Sequence, residues 1–140
     1  MRWAALFCLV IIASTSWAET LVYFGTYTRG NSSSEGIYVS HLDETNGALS
    51  QPRLAAKADN PSFLALHPNG KTLYAVSETP STGDNPVGLV AFAVNDDGTL
   101  ETLNQRSTRG GDACHVSVDP SGRYLGVANY SGGSCAMFPI

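Results

Sequence analysis

The sequence predicts an all-β chain built as a β-propeller, and three observations predict it. The chain repeats itself: residues 61–76, PSFLALHPNGKTLYAV, return as residues 113–127, ACHVSVDPSGRYLGV. Pro68, Gly70, Lys71 and Leu73 are matched by Pro120, Gly122, Arg123 and Leu125, each at a shift of 52. A second pair, GIYV at 36–39 and GLVA at 88–91, keeps the same shift. Period-two apolar runs end in Gly, Pro, Asn or Asp along the chain, the pattern of strands joined by tight turns. A repeat of about 50 residues with this content is one four-stranded blade of a ring. The 140 residues hold about two and a half such repeats, so the chain is expected to be the front end of a longer protein.

Each element follows in order, with the strands of one blade labelled A to D. LVYFGTY at 21–27 and GIYVSHL at 36–42 read as strands, DETNG at 43–47 as a turn, and 48–55 as a weaker strand. Residues 21–55 thus fit B, C and D of a blade lacking its A strand. Residues 61–107 supply a complete blade. SFLALH (62–67) is A, KTLYAVS (71–77) is B, GLVAFAV (88–94) is C, and 99–106 is D. Between A and B, Pro68 presets φ and Gly70 accepts a positive one, which makes HPNG a tight turn. Residues 78–87 form a long Pro/Gly/Ser loop. Residues 113–139 begin a third blade with strands at 114–118, 123–129 and 134–138 around the turn DPSG. The alternative, a small free-standing β domain, would leave unpaired strand edges that invite aggregation.

The first 18 residues read as an export signal rather than as fold. Met1 and Arg2 open the chain, residues 3–13 are apolar but short for a membrane span, and Ser16-Trp17-Ala18 offers small residues at a cleavage site after Ala18. An uncleaved anchor is the alternative. Cys8 sits mid-run after the bulky Phe7, which argues against lipidation. The expected mature chain is 19–140, exported to the periplasm or medium and without membrane attachment. Its seven basic and twelve acidic residues leave it at −5. No basic patch suggests nucleic acid. Cys114 and Cys135 fall on strands A and C of one blade, about 10 Å apart across an intervening strand, beyond disulfide reach. Two free thiols are expected.

Four blocks carry a family likeness: FGTYT (24–28), GIYVSHLDETNGAL (36–49), NPSFLALHPNGKTLYAVSE (60–78) and CHVSVDPSGRYLGVANYSGGSCAMFPI (114–140). Together they closely resemble the lactonase family of seven-bladed propellers, which includes bacterial 6-phosphogluconolactonases and a carboxymuconate-lactonizing enzyme. The likeness spans nearly the whole mature chain in order. Family members often have proline before the Cys-His pair, where this chain has Ala113, and small aliphatics at Cys135 and Met137. The resemblance implies a ring of seven blades and hydrolysis of a sugar lactone, with a small-molecule lactone as the partner and no cofactor. A chain of 140 residues alone is expected to be inactive, because its channel has no far wall. Export leaves the substrate open between 6-phosphogluconolactone, whose pathway (the pentose phosphate route) is cytosolic, and an unphosphorylated aldonolactone.

Blade geometry gathers the D–A connections and B–C loops around the channel mouth. His115 starts an A strand there, and its counterpart one repeat earlier is Phe63, so packing does not require a histidine. Imidazole titrates near neutrality and can move protons in lactone opening. The resemblance matches His115 to a histidine proposed to be catalytic; hydrogen bonding to a neighbouring blade is the structural alternative. Arg109 and Arg29 are candidate cations for the oxyanion or a substrate anion, and solvated loop arginines otherwise. Glu78 and Asn129 end equivalent B strands and are candidates to hold substrate hydroxyls, or to cap the loops. Cys114 alternates away from His115 along the strand, which disfavours a Cys–His pair. Neither CxxC nor a His/Cys cluster suggests a metal. Two other readings stay open: an exported propeller that only binds protein or carbohydrate, and a lactone-forming muconate cyclase.

Overall fold

The computed structural model describes residues 20–80 and 87–140, which form strands and turns and no helix. The expected leader at 1–18 and much of the loop at 78–87 lie outside the described residues.

Eleven strands make three antiparallel sheets. In the first, β1 (Thr20–Phe24) pairs with β2 (Gly36–Asp43), which pairs on its other side with β3 (Ala48–Leu49) and β4 (Arg53–Lys57). The second runs β5 (Leu64–Leu66), β6 (Thr72–Val76), β7 (Leu89–Val94) and β8 (Leu100–Arg106) in chain order. The third runs β9 (Ala113–Val118), β10 (Tyr124–Asn129) and β11 (Ser134–Pro139). The weaker strand expected over 48–55 is broken in two: Pro52 has no N–H to give a ladder, and the chain re-pairs at Arg53.

The sheets stack, and β6 and β7 show why their sequences read as continuous apolar runs. Leu73, Ala75, Val90 and Phe92 point to one side and join Ile37, Val39, Ala55 and Leu100 in a core between the first and second sheets. Tyr74, Val76, Leu89 and Ala91 point to the other side and join Ala113, Val116, Leu125 and Val127 between the second and third. Successive strand residues face opposite ways, so a sheet covered on both faces needs apolar residues at every position. β10, covered on one face, alternates instead: Leu125, Val127 and Asn129 are buried and Tyr124 and Ala128 exposed.

The repeat also governs how the B strands end. Asn60 and Asp112, 52 apart, both adopt a left-handed backbone, with φ of 45° and 53°. Asn and Asp accept this conformation more readily than other side chains. The carbonyl of Asn60 accepts the Glu78 N–H at 3.1 Å, and that of Asp112 accepts the Tyr130 N–H at 2.8 Å. Glu78 and Tyr130 are therefore the structurally equivalent pair. The counterpart of Asn129 is Ser77.

Candidate active site

At one end of the stack, side chains join neighbouring sheets in two places, the first to the second and the second to the third. Tyr27 follows β1, Ser62 and Phe63 precede β5, Glu78 follows β6, and Cys114 and His115 lie on β9. Their placement begins with Asn60, which is buried and joins two loops. Its Oδ1 accepts the Thr28 N–H at 2.8 Å, while its Nδ2 donates to the Glu78 carbonyl at 2.9 Å. Thr28 and Glu78 are thereby held on either side of Asn60, and Tyr27 comes within reach of Glu78.

The Tyr27 hydroxyl donates to Glu78 Oε2 at 2.9 Å, and the Ser62 hydroxyl donates to the same oxygen. The carboxylate at the end of its hydrogen bond raises the Tyr27 phenol above its ordinary range. On β9, Cys114 is half-buried and immediately precedes His115. One residue on, the His115 imidazole is exposed and packs against Phe63, with ring centroids 4.3 Å apart and planes tilted by 44°.

Strict alternation, expected at Cys114 and His115, is interrupted. Asn129 pairs with Ala113 and Ala128 with His115, so Cys114 is the extra residue of a bulge. Its Sγ donates to the Ala128 carbonyl at 3.7 Å. Cys114 and Cys135 are free thiols on strands that β10 separates.

The other candidates are placed elsewhere. Arg29 forms a two-pronged ion pair with Asp59, Nε to Oδ1 at 3.0 Å and the second nitrogen to Oδ2 at 2.6 Å. It lines a groove of about 370 Å³ with Lys57, Thr102 and Gln105. Arg109, exposed with a φ of 56°, lines a second groove of about 570 Å³ with Arg106, Cys135, Met137 and Phe138, along β11. Neither groove includes His115 or Glu78. Asn129 is only 3% exposed, and its Nδ2 donates to Ser134 Oγ at 3.2 Å and the Thr108 carbonyl at 3.5 Å. It braces the segments around Thr108 and Ser134 rather than facing the mouth. Glu78 thus joins Tyr27 and Ser62, Arg29 is engaged by Asp59, Arg109 lines the groove along β11, and Asn129 is buried between the segments around Thr108 and Ser134. Tyr27 and Ser62 were missed in the sequence; their signal was the alignment of Tyr27 with Glu78, one repeat apart. Among the described residues, no three His, Cys, Asp or Glu side chains group as metal ligands.

Residues 21–140 match the sequence profile of the family described as lactonase, 7-bladed beta-propeller. The chain is 40% identical over 119 residues to a 6-phosphogluconolactonase of Bacillus subtilis, covering 84% of this chain and 32% of that protein. Among solved structures, the periplasmic gluconolactonase of Pseudomonas aeruginosa superposes with a TM-score of 0.73 at 37% identity, covering 86% of this chain and 34% of that one. A Bacteroides fragilis structure gives a TM-score of 0.77 at 38% identity over 91% of this chain and 34% of its own. The chain therefore spans about a third of the length of these relatives. Its repeat, its stacked antiparallel sheets and its match over residues 21–140 make it a member of the lactonase family of seven-bladed β-propellers.

Proposed function

We propose that the protein is a lactone hydrolase that opens a sugar lactone to its aldonic acid, with His115 as the proton-transfer group. The observation that carries this reading is the exposed imidazole on Phe63, whose chain neighbour Ser62 belongs to the cluster with Tyr27 and Glu78. Hydrolysis adds water across an ester bond. A water oxygen attacks the carbonyl carbon, the bond to the ring oxygen breaks, and one proton passes from water to that oxygen. His115 takes the proton from water and returns it to the leaving oxygen. Cations for the oxyanion come from the rest of the ring, since Arg29 is engaged by Asp59. Arg109 has no place in this scheme beside His115.

The three sheets are read as consecutive blades: 21–55 lacking its A strand, 61–107 complete, and 113–139 incomplete. Residues 1–18 are read as an export signal, from Arg2, the apolar run 3–13 and Ser16-Trp17-Ala18. A periplasmic relative from Pseudomonas aeruginosa favours an unphosphorylated gluconolactone outside the cytoplasm over a role in the pentose phosphate pathway.

The test is turnover of glucono-δ-lactone and its 6-phosphate by the natively encoded protein, corrected for spontaneous hydrolysis. His115→Gln is expected to lower kcat/KM by about 10²- to 10⁴-fold. Unchanged turnover in that variant would remove His115 from the reaction. No turnover by the wild type would favour a propeller that only binds.

A further inference from the structure

We propose that Tyr27, Ser62 and Glu78 form a subsite that binds the hydroxyls of a polyol ring. The inference deepens the lactone-hydrolase reading and rests on it for the substrate.

Both hydroxyls converge on Glu78 Oε2, and Oε1 takes no hydrogen bond among the described residues. An ionised carboxylate is acceptor-only, so the open oxygen calls for donors, and the hydroxyls of a polyol supply them. The carboxylate is also preorganised. The Glu78 backbone is held at both ends by Asn60, through N–H to carbonyl at 3.1 Å and carbonyl to Nδ2 at 2.9 Å. Binding to such a group costs little ordering entropy.

The neighbouring surface suits a ring with apolar C–H faces. Phe63 is 39% exposed, Tyr27 58% exposed, and His115 lies on Phe63. Among the described residues, Arg29 is paired with Asp59, and Arg109 lines the groove along β11.

The experiment uses the natively encoded protein and 1,5-anhydroglucitol, a ring polyol that lacks the lactone carbonyl, as a competitive inhibitor of glucono-δ-lactone turnover. Glu78→Gln is expected to raise its Ki about 10-fold and to raise KM similarly, with kcat within about 2-fold. Tyr27→Phe, which keeps the ring and removes one hydroxyl from Oε2, should raise Ki about 3-fold. It serves as the readout if Glu78→Gln does not fold. Unchanged Ki in whichever variant folds would overturn the subsite while leaving the hydrolase reading intact. Direct binding of 1,5-anhydroglucitol by calorimetry, weakened in the variants, would support the subsite even if the wild type showed no turnover. Turnover without inhibition by 1,5-anhydroglucitol would overturn it.

Discussion

The His115 imidazole rests 4.3 Å from the ring of Phe63, the residue that occupies its own position one repeat earlier. Equivalent positions of consecutive repeats touch because the sheets stack, and the same holds for Tyr27 and Glu78. At the first pair a phenyl and an imidazole fill similar volumes, so the fold accepts either. His115→Phe is therefore expected to leave the unfolding free energy within about 1 kcal/mol of wild type. On the proposed lactone-hydrolase reading, turnover by the natively encoded protein should fall about 10²- to 10⁴-fold. Denaturant melts and progress curves on the same preparation measure both. A large loss of stability would reassign His115 to packing.

At Gly25 the backbone of the first sheet lies directly against the segment that leads into the second. A Cβ there would lie 2.0 Å from the Pro61 carbonyl oxygen and 3.2 Å from the Leu64 side chain. The obstruction is backbone and cannot rotate aside. Gly25→Ala should cost about 1–3 kcal/mol through forced separation of the sheets. Urea unfolding tests it, and a variant as stable as wild type would contradict the packing described.

Two turn glycines separate conformational strain from contact. Gly70 and Gly122 have φ of 71° and 70°, yet a Cβ at Gly70 meets nothing within 4 Å, whereas at Gly122 it meets His67 Nε2 at 2.6 Å. That imidazole is held: its Nε2 lies 3.0 Å from the Gly122 carbonyl, and its Nδ1 accepts the Asn69 N–H at 3.1 Å. Gly70→Ala should cost about 1–2 kcal/mol, the left-handed penalty alone. Gly122→Ala should cost more, and the excess should vanish in a His67→Ala background. Equal costs in both backgrounds would show that His67 does not constrain the turn.

Asp119 gives the third sheet an acid-sensitive turn. The Ser121 hydroxyl first, then the Tyr124 N–H, hold its carboxyl down at about 2. Its folded value is depressed, so its contribution is present above the unfolded value near 4 and fades as pH falls from about 4 toward about 2. Asp43 with Thr45, and Asp97 with Thr99, form the same Asp-x-Thr/Ser turn and are lowered in the same direction. Asp119→Asn should flatten the dependence of stability on pH in that window and leave the curve above pH 5 parallel to wild type. Thermal melts between pH 2 and pH 6 measure this.

The sequence by itself determined the all-β propeller class. A shift of 52 with apolar runs of period two leaves few other solutions, because each repeat can bury its faces only against the next. It also singled out His115, since a histidine where the repeat places Phe63 is a departure visible in one dimension. Tertiary structure alone decided which neighbours His115 has. Tyr27 reaches Glu78 across 51 residues because Asn60 ties their loops together. Asn129 and Glu78 look alike at the ends of two strands, but a one-residue difference in register buries the first and leaves the second at the mouth. The bulge at Cys114 overrides alternation for the same reason. Side-chain facing in a sheet changes with every single-residue slip, and such slips are set by the packing of one sheet on another, which a linear pattern does not record.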